Sequence, residues 1–165
     1  MRNMIIGALV ITLLAAAQPA CGQQLEVVVT FAILEDMVEV IGGDRVEVNA
    51  LVGRGADPHT WEPTPREARL VAQADLLVAN GGGFDDWLLS LVRNATSSGT
   101  PLVLASEGLS ALAHSPAPDL SDHSHGGDPH FWLSVPNAIY YVQRITEALV
   151  DISPSDGAYF RERSQ

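Results

Sequence analysis

Two seven-residue stretches, "GADPHTW" at 55–61 and "GGDPHFW" at 126–132, share the frame Gly-x-Asp-Pro-His-x-Trp. A repeat architecture would be self-similar over a whole structural unit. Here only the short frame recurs, so the likeness is local and chemical. Pro58 and Pro129 fix the backbone just before each histidine and hold Asp57 and Asp128 extended, which pre-organises the imidazoles of His59 and His130. Each Asp can cap a turn or accept a hydrogen bond from a ligating histidine. Trp61 and Trp132 can pack beside the rings and exclude water. Histidine is the commonest metal-binding side chain, and two neutral imidazoles in one crevice suit Zn²⁺ or a neighbouring transition metal. The plainer alternative is a pair of loop histidines in Asp-Pro turns.

The segment before the second motif, "HSPAPDLSDHSHGGDPH", adds to the metal reading. His123, His125 and Asp122 form a small cation-binding cluster there, expected to act as an accessory collector rather than as core ligands. His114 reads as a solvated loop residue. Other chemistry is poorly supported. "NGGGF" at 80–84 lacks dinucleotide-binding spacing and reads as a place of close backbone approach. No serine sits in a nucleophile-elbow sequence. Glu62, three residues after His59, could serve a zinc hydrolase as base, but in "EPTP" it reads as part of the next helix's start.

Alternating elements must carry these residues. "LEVVVT" (25–30), "RVEVNALV" (45–52), "DLLVAN" (75–80) and "PLVLAS" (101–106) read as strands. Between them, "AILEDMVEVIGG" has apolar residues at helical spacing (Ile33, Met37, Val38, Ile41) and a Gly pair as its stop. "TPREARLVAQA" (64–74) opens with Thr64 as cap, Pro65 at the first helical position and Glu67 three residues past the cap. "DDWLLSLVRNA" (85–95) is a third helix with an acidic first turn. Such alternation implies one four-stranded parallel sheet flanked by helices, an α/β lobe. Residues 107–130 break the pattern as a long loop, functional or mobile by its length. A helix at 135–152 follows, and a further one begins after Ser153 with no apolar docking face in its last turn. His59 then follows the second strand and His130 the fourth, both at the carboxyl edge where such sheets bind ligands. In a 2-1-3-4 order those strands stand roughly 14 Å apart, a gap their loops can close.

With 165 residues the chain has room for one core-bearing domain, and 47% hydrophobic content fits a globular protein. A formal charge of −11 argues against nucleic acid, which needs basic stripes. Residues 1–22 read as a secretory signal peptide: one Arg, an apolar run too short to span a bilayer, then small residues. The sole cysteine, Cys21, sits at its exit. Either cleavage after Gly22 frees the protein, or Cys21 becomes a lipidated anchor; no disulfide forms from one cysteine.

The stretch "VVVTFAILEDMVEVIGGDRVEVNALVGRGADPHTWEPTP", with "ADLLVANGGGFDDWL" and "DPHFW" leading into a helix, resembles the metal-specific substrate-binding proteins of ABC importers, the zinc and manganese class. The likeness runs in order over nearly all of residues 25–160. It implies a two-lobed protein joined by one long helix, with the metal held between lobes by His59 and His130 from the first lobe and further ligands from the second. It further implies an exported protein at the periplasmic or extracellular face of the cytoplasmic membrane, delivering its ion to an ABC permease, not an enzyme. The His-rich loop favours zinc, with manganese as alternative; a metal-binding adhesion lipoprotein and a secreted zinc hydrolase are the rivals. On this likeness residues 23–152 are the N-terminal metal-binding lobe and 153–165 start the inter-lobe helix, with the second lobe absent. Ser134 stands where many relatives carry Asp.

Overall fold

The structure is a computed structural model describing residues 23–95, 99–110 and 127–165. Cys21, His114, Asp122, His123 and His125 lie outside the described residues, as does the signal segment.

Four parallel strands form one sheet: β1 (Leu25–Phe31), β2 (Val46–Val52), β3 (Leu76–Ala79) and β4 (Leu102–Leu104), in the order β2-β1-β3-β4. This is the 2-1-3-4 order considered from the sequence. Register runs from Leu25 opposite Val46 to Phe31 opposite Val52, and from Leu77 opposite Leu102 to Ala79 opposite Leu104. β4 is shorter than its apolar run, but Ala105 and Ser106 continue the ladder by donating to the carbonyls of Ala79 and Asn80.

The central strands are apolar at consecutive positions because both faces of the sheet are covered. Val27, Val29, Phe31, Leu76 and Val78 face one core, shared with α1 (Ala32–Gly42), α4 (Val135–Ile152) and α5 (Gly157–Arg163). Val28, Leu77 and Ala79 face the other, shared with α2 (Pro65–Gln73) and α3 (Asp86–Ala95). α2 starts on the cap read from its sequence. Thr64 accepts from the Arg66 amide at 3.2 Å, and the Glu67 carboxylate accepts from the Thr64 amide at 3.0 Å.

Two local expectations need correction. The buried stripe of α1 is Leu34, Val38 and Ile41, while Ile33 is exposed. Stepping by four and then three residues from Leu34 keeps that stripe on the sheet and turns Ile33 outward. The last helix does have an apolar anchor. Phe160 is fully buried in the core shared with α1 and α4, and Tyr159 donates to the Asp44 carboxylate at 2.6 Å. Among the described residues no helix is long and apolar enough to cross a membrane.

Candidate metal centre

The carboxyl ends of β1 to β4 open toward one edge, and the loops leaving β2, β3 and β4 meet there. After β2, Asp57 folds its own turn: its carboxylate accepts from the His59 amide at 2.9 Å and from the Thr60 hydroxyl at 3.4 Å. After β4, Asp128 repeats the device, accepting from the His130 amide at 2.9 Å. Asp128 goes further, because its Oδ1 lies 2.6 Å from His130 Nδ1. An ionised carboxylate can only accept, so this contact calls for a proton on Nδ1 and, in the neutral ring, leaves the lone pair on Nε2. That is the arrangement in which a second hydrogen bond fixes the tautomer of a ligating histidine.

The two rings meet. The centroids of His59 and His130 are 5.6 Å apart, with Phe84 edge-on to both at 5.2 and 5.6 Å. Two imidazoles on one tetrahedral ion, with metal–nitrogen bonds of about 2.0–2.1 Å, have centroids about 5 Å apart. The observed 5.6 Å lies close to that spacing, and His59 is exposed. Among the described residues no group of three His, Cys, Asp or Glu side chains that could hold a metal ion comes together, and the pair stands as two imidazoles. A cleft of about 400 Å³ opens beside it, lined by Ser110, Asp128, His130, Ser134 and Asn137 among others.

The two tryptophans have parted company. Trp132 lies 5.2 Å from His130 and packs on Phe31 and Phe84, the shielding role expected. Trp61 instead packs against Trp87 at 4.5 Å with the rings tilted, on the α3 side. Glu62 is exposed, and the cap of α2 is made by Thr64 and Glu67 without it.

Sequence reasoning reached the loop after β3 only in part. Gly81, Gly82 and Gly83 all have positive φ, and a Cβ on Gly82 would stand 2.6 Å from the Phe131 ring. The glycine run therefore lets the second motif seat directly on this loop. Unforeseen was a buried polar network under it. Asp85 accepts from the Thr30 hydroxyl (2.8 Å) and from the amides of Asn80 (2.5 Å) and Gly81 (2.8 Å). Burial pushes its carboxyl above the ordinary range, opposed by those donors. Burial likewise raises the Tyr141 phenol, which donates to Asn80 Oδ1 at 2.6 Å. The only signals were a polar Asn80 one residue past buried β3 and an acidic Asp85 six past it, while Tyr141 inside α4 gave none.

With this geometry in view, residues 27–165 match the family model of ZnuA, zinc-uptake complex component A, periplasmic. The chain belongs to this ZnuA family. It is 39% identical over 137 residues to the manganese-binding lipoprotein MntA of Halalkalibacterium halodurans, covering 83% of this chain and 42% of that one. It is 30% identical over 165 residues to the iron ABC transporter substrate-binding lipoprotein MtsA of Streptococcus pyogenes, covering 93% and 52%. Among solved structures, the Mn-bound periplasmic metal-binding protein of Candidatus Liberibacter asiaticus superposes with a TM-score of 0.74 at 26% identity, over 86% of this chain and 50% of that one. The chain thus spans about half the length of the relatives it matches. These ZnuA relatives are named as binding proteins of metals and transporters, not as enzymes.

Proposed function

We propose that this chain is the metal-capturing lobe of an exported substrate-binding protein that passes a divalent cation to an ABC permease. The observation that carries the reading is the pairing of His59 and His130 at the carboxyl edge, each preceded by an Asp that bonds back to it. Family membership and the transporter names of relatives support the permease as partner, and their lipoprotein names support an anchor at Cys21. The ion is cargo, and the work is capture and release rather than turnover. Two imidazoles supply half of a four-ligand shell, so on this reading further ligands come from elsewhere, a second lobe foremost.

Zinc is the cargo favoured by the His-rich segment that carries Asp122, His123 and His125. Manganese is favoured by the manganese-binding relative and the Mn-bound neighbour. Raw affinity will not choose between them, because any nitrogen site ranks zinc above manganese. A secreted hydrolase would require a third protein ligand beside the pair, and the described residues hold no such group of three.

Calorimetric titration with zinc and with manganese tests the reading, on the parent, His59→Ala and His130→Ala. Each substitution is expected to remove most of the affinity. Protons compete for imidazole, which titrates near 6.5 in water, so binding should weaken steeply from about pH 7.5 to about pH 5.5, approaching two protons displaced per ion. Variants that bind as the parent does would reduce the twin motifs to turns and end the proposal.

A further inference from the structure

We infer that Asn80 is a positioning residue for the second histidine: its amide, oriented by Tyr141, clamps the Asp-Pro-His turn in place for the metal. The inference rests on the metal reading of His130 but concerns residues that reading does not use. Asn80 and Tyr141 are both fully buried, so every polar atom they carry must find a partner inside the protein. Asn80 Nδ2 donates to the carbonyl of Gly81 at 2.8 Å and to the carbonyl of Pro129 at 3.0 Å. Pro129 immediately precedes His130, so this second bond joins the loop after β3 to the ligand's own backbone.

An amide has two orientations, and here only one works. With Oδ1 toward Tyr141 it accepts the phenol's proton at 2.6 Å, and both amide hydrogens reach carbonyls. Flipped, it would aim an oxygen at two carbonyl oxygens and remove the donor from both, leaving Gly81 only its bond from the Phe84 amide. The Tyr141 phenol, held protonated by burial, is a dependable donor that enforces the working orientation. α4 therefore grips both flanks of the connection from β4. Tyr141 acts through Asn80 near Pro129, while Tyr140 donates to the Glu107 carbonyl at 2.8 Å and Arg144 pairs with the Glu107 carboxylate. Phe131, seated against Gly82, closes the fit from the other side. His130 is thereby held by contacts that His59 lacks.

Two substitutions in the full chain test the clamp, with His130→Ala as control. Asn80→Asp keeps the acceptor for Tyr141 and loses the donor to Pro129. Tyr141→Phe keeps that donor and loses the group that orients it. Three readouts are taken: zinc affinity by competitive calorimetry, metal-free thermal unfolding, and the ring ¹⁵N signals of His130 without metal. Asn80→Asp is expected to weaken zinc roughly 10- to 100-fold, the range for groups that orient a ligand, with a smaller loss for Tyr141→Phe. The parent's His130 should show one tautomer, with Nδ1 protonated, and the variants a mixture. If Asn80→Asp does not fold, Tyr141→Phe carries the test on the same readouts. A folded variant with lowered melting temperature but parental zinc affinity and unchanged His130 signals makes Asn80 merely structural and overturns the clamp. If His130→Ala binds zinc as the parent does, the metal reading fails instead; the ring signals still decide the clamp.

Discussion

Among the described carboxylates with a resolved shift, Asp85 is the one that burial raises, and its effect on stability has a definite sign. Burial raises its folded value above that of the unfolded chain, so the folded state holds the proton more tightly. Its contribution is then complete below the unfolded value of about 4 and is lost as pH rises through the folded value. Asp85→Asn, which cannot ionise, should be less stable by about 1–3 kcal/mol at acid pH, since its NH₂ must face a donor. That deficit should shrink toward neutral pH, as measured by urea unfolding at several pH values. Parallel profiles for parent and variant would refute the assignment. This residue also marks the limit of sequence reading at the site. His59 and His130 were legible because residue type and a repeated frame announce chemistry without any knowledge of burial. Asn80, Asp85 and Tyr141 were not, because their importance comes from being enclosed together, and Tyr141 comes from a helix far along the chain.

At the scale of elements, helix starts and strands were read well because their causes are local. Thr64, Pro65 and Glu67 specify the start of α2 by bonds that span three residues, and those bonds are present. The Thr64 side-chain hydrogen bond holds the Glu67 carboxyl below its ordinary range, despite burial acting against it. The sign is opposite to that of Asp85. The contribution is present above the unfolded value of about 4.3 and is lost as pH falls through the lowered folded value. Thr64→Ala should therefore cost about 1 kcal/mol at neutral pH, with the difference narrowing in acid. Chemical denaturation at pH 7 and pH 3.5 checks this, and a constant difference would count against the cap as its source. What local reasoning misjudged was which side of a helix faces inward. Ile33 and Leu34 are equally apolar neighbours, and only the sheet beneath α1 selects Leu34. The same holds for Phe160, whose pocket is built by α1 and α4.

For the molecule as a whole, a sheet covered on both faces sets the site on a packed platform with exposed loops at its rim. The parallel order was foreseeable, since alternation of strands and helices admits few topologies and puts both histidines at one edge. The meeting of the rings was expected, but not the path that brings it about, because loop paths of this length are decided by contacts such as Phe131 on Gly82 and Asn80 on Pro129. If the pair captures an ion, binding must stabilise the fold by linkage. Zinc at 100 times its dissociation constant should add about 2.7 kcal/mol, visible as a rise in melting temperature that a chelator reverses. His130→Ala should melt at the same temperature with and without zinc; a retained rise would locate the ion elsewhere.

The unequal fastening of the two histidines also sets an order of events in time. His130 is held by Asp128, by Asn80 through Pro129, and by the aromatic seat of Trp132, whereas exposed His59 has its Asp57 turn and one edge of Phe84. If the pair captures an ion as proposed, an arriving cation would meet the more firmly held ring first and then be enclosed by His59, and departure would begin at His59. Residence time would thus be set by the rim and affinity by the platform, so that a partner wishing to unload the ion need only pull on the loop after β2.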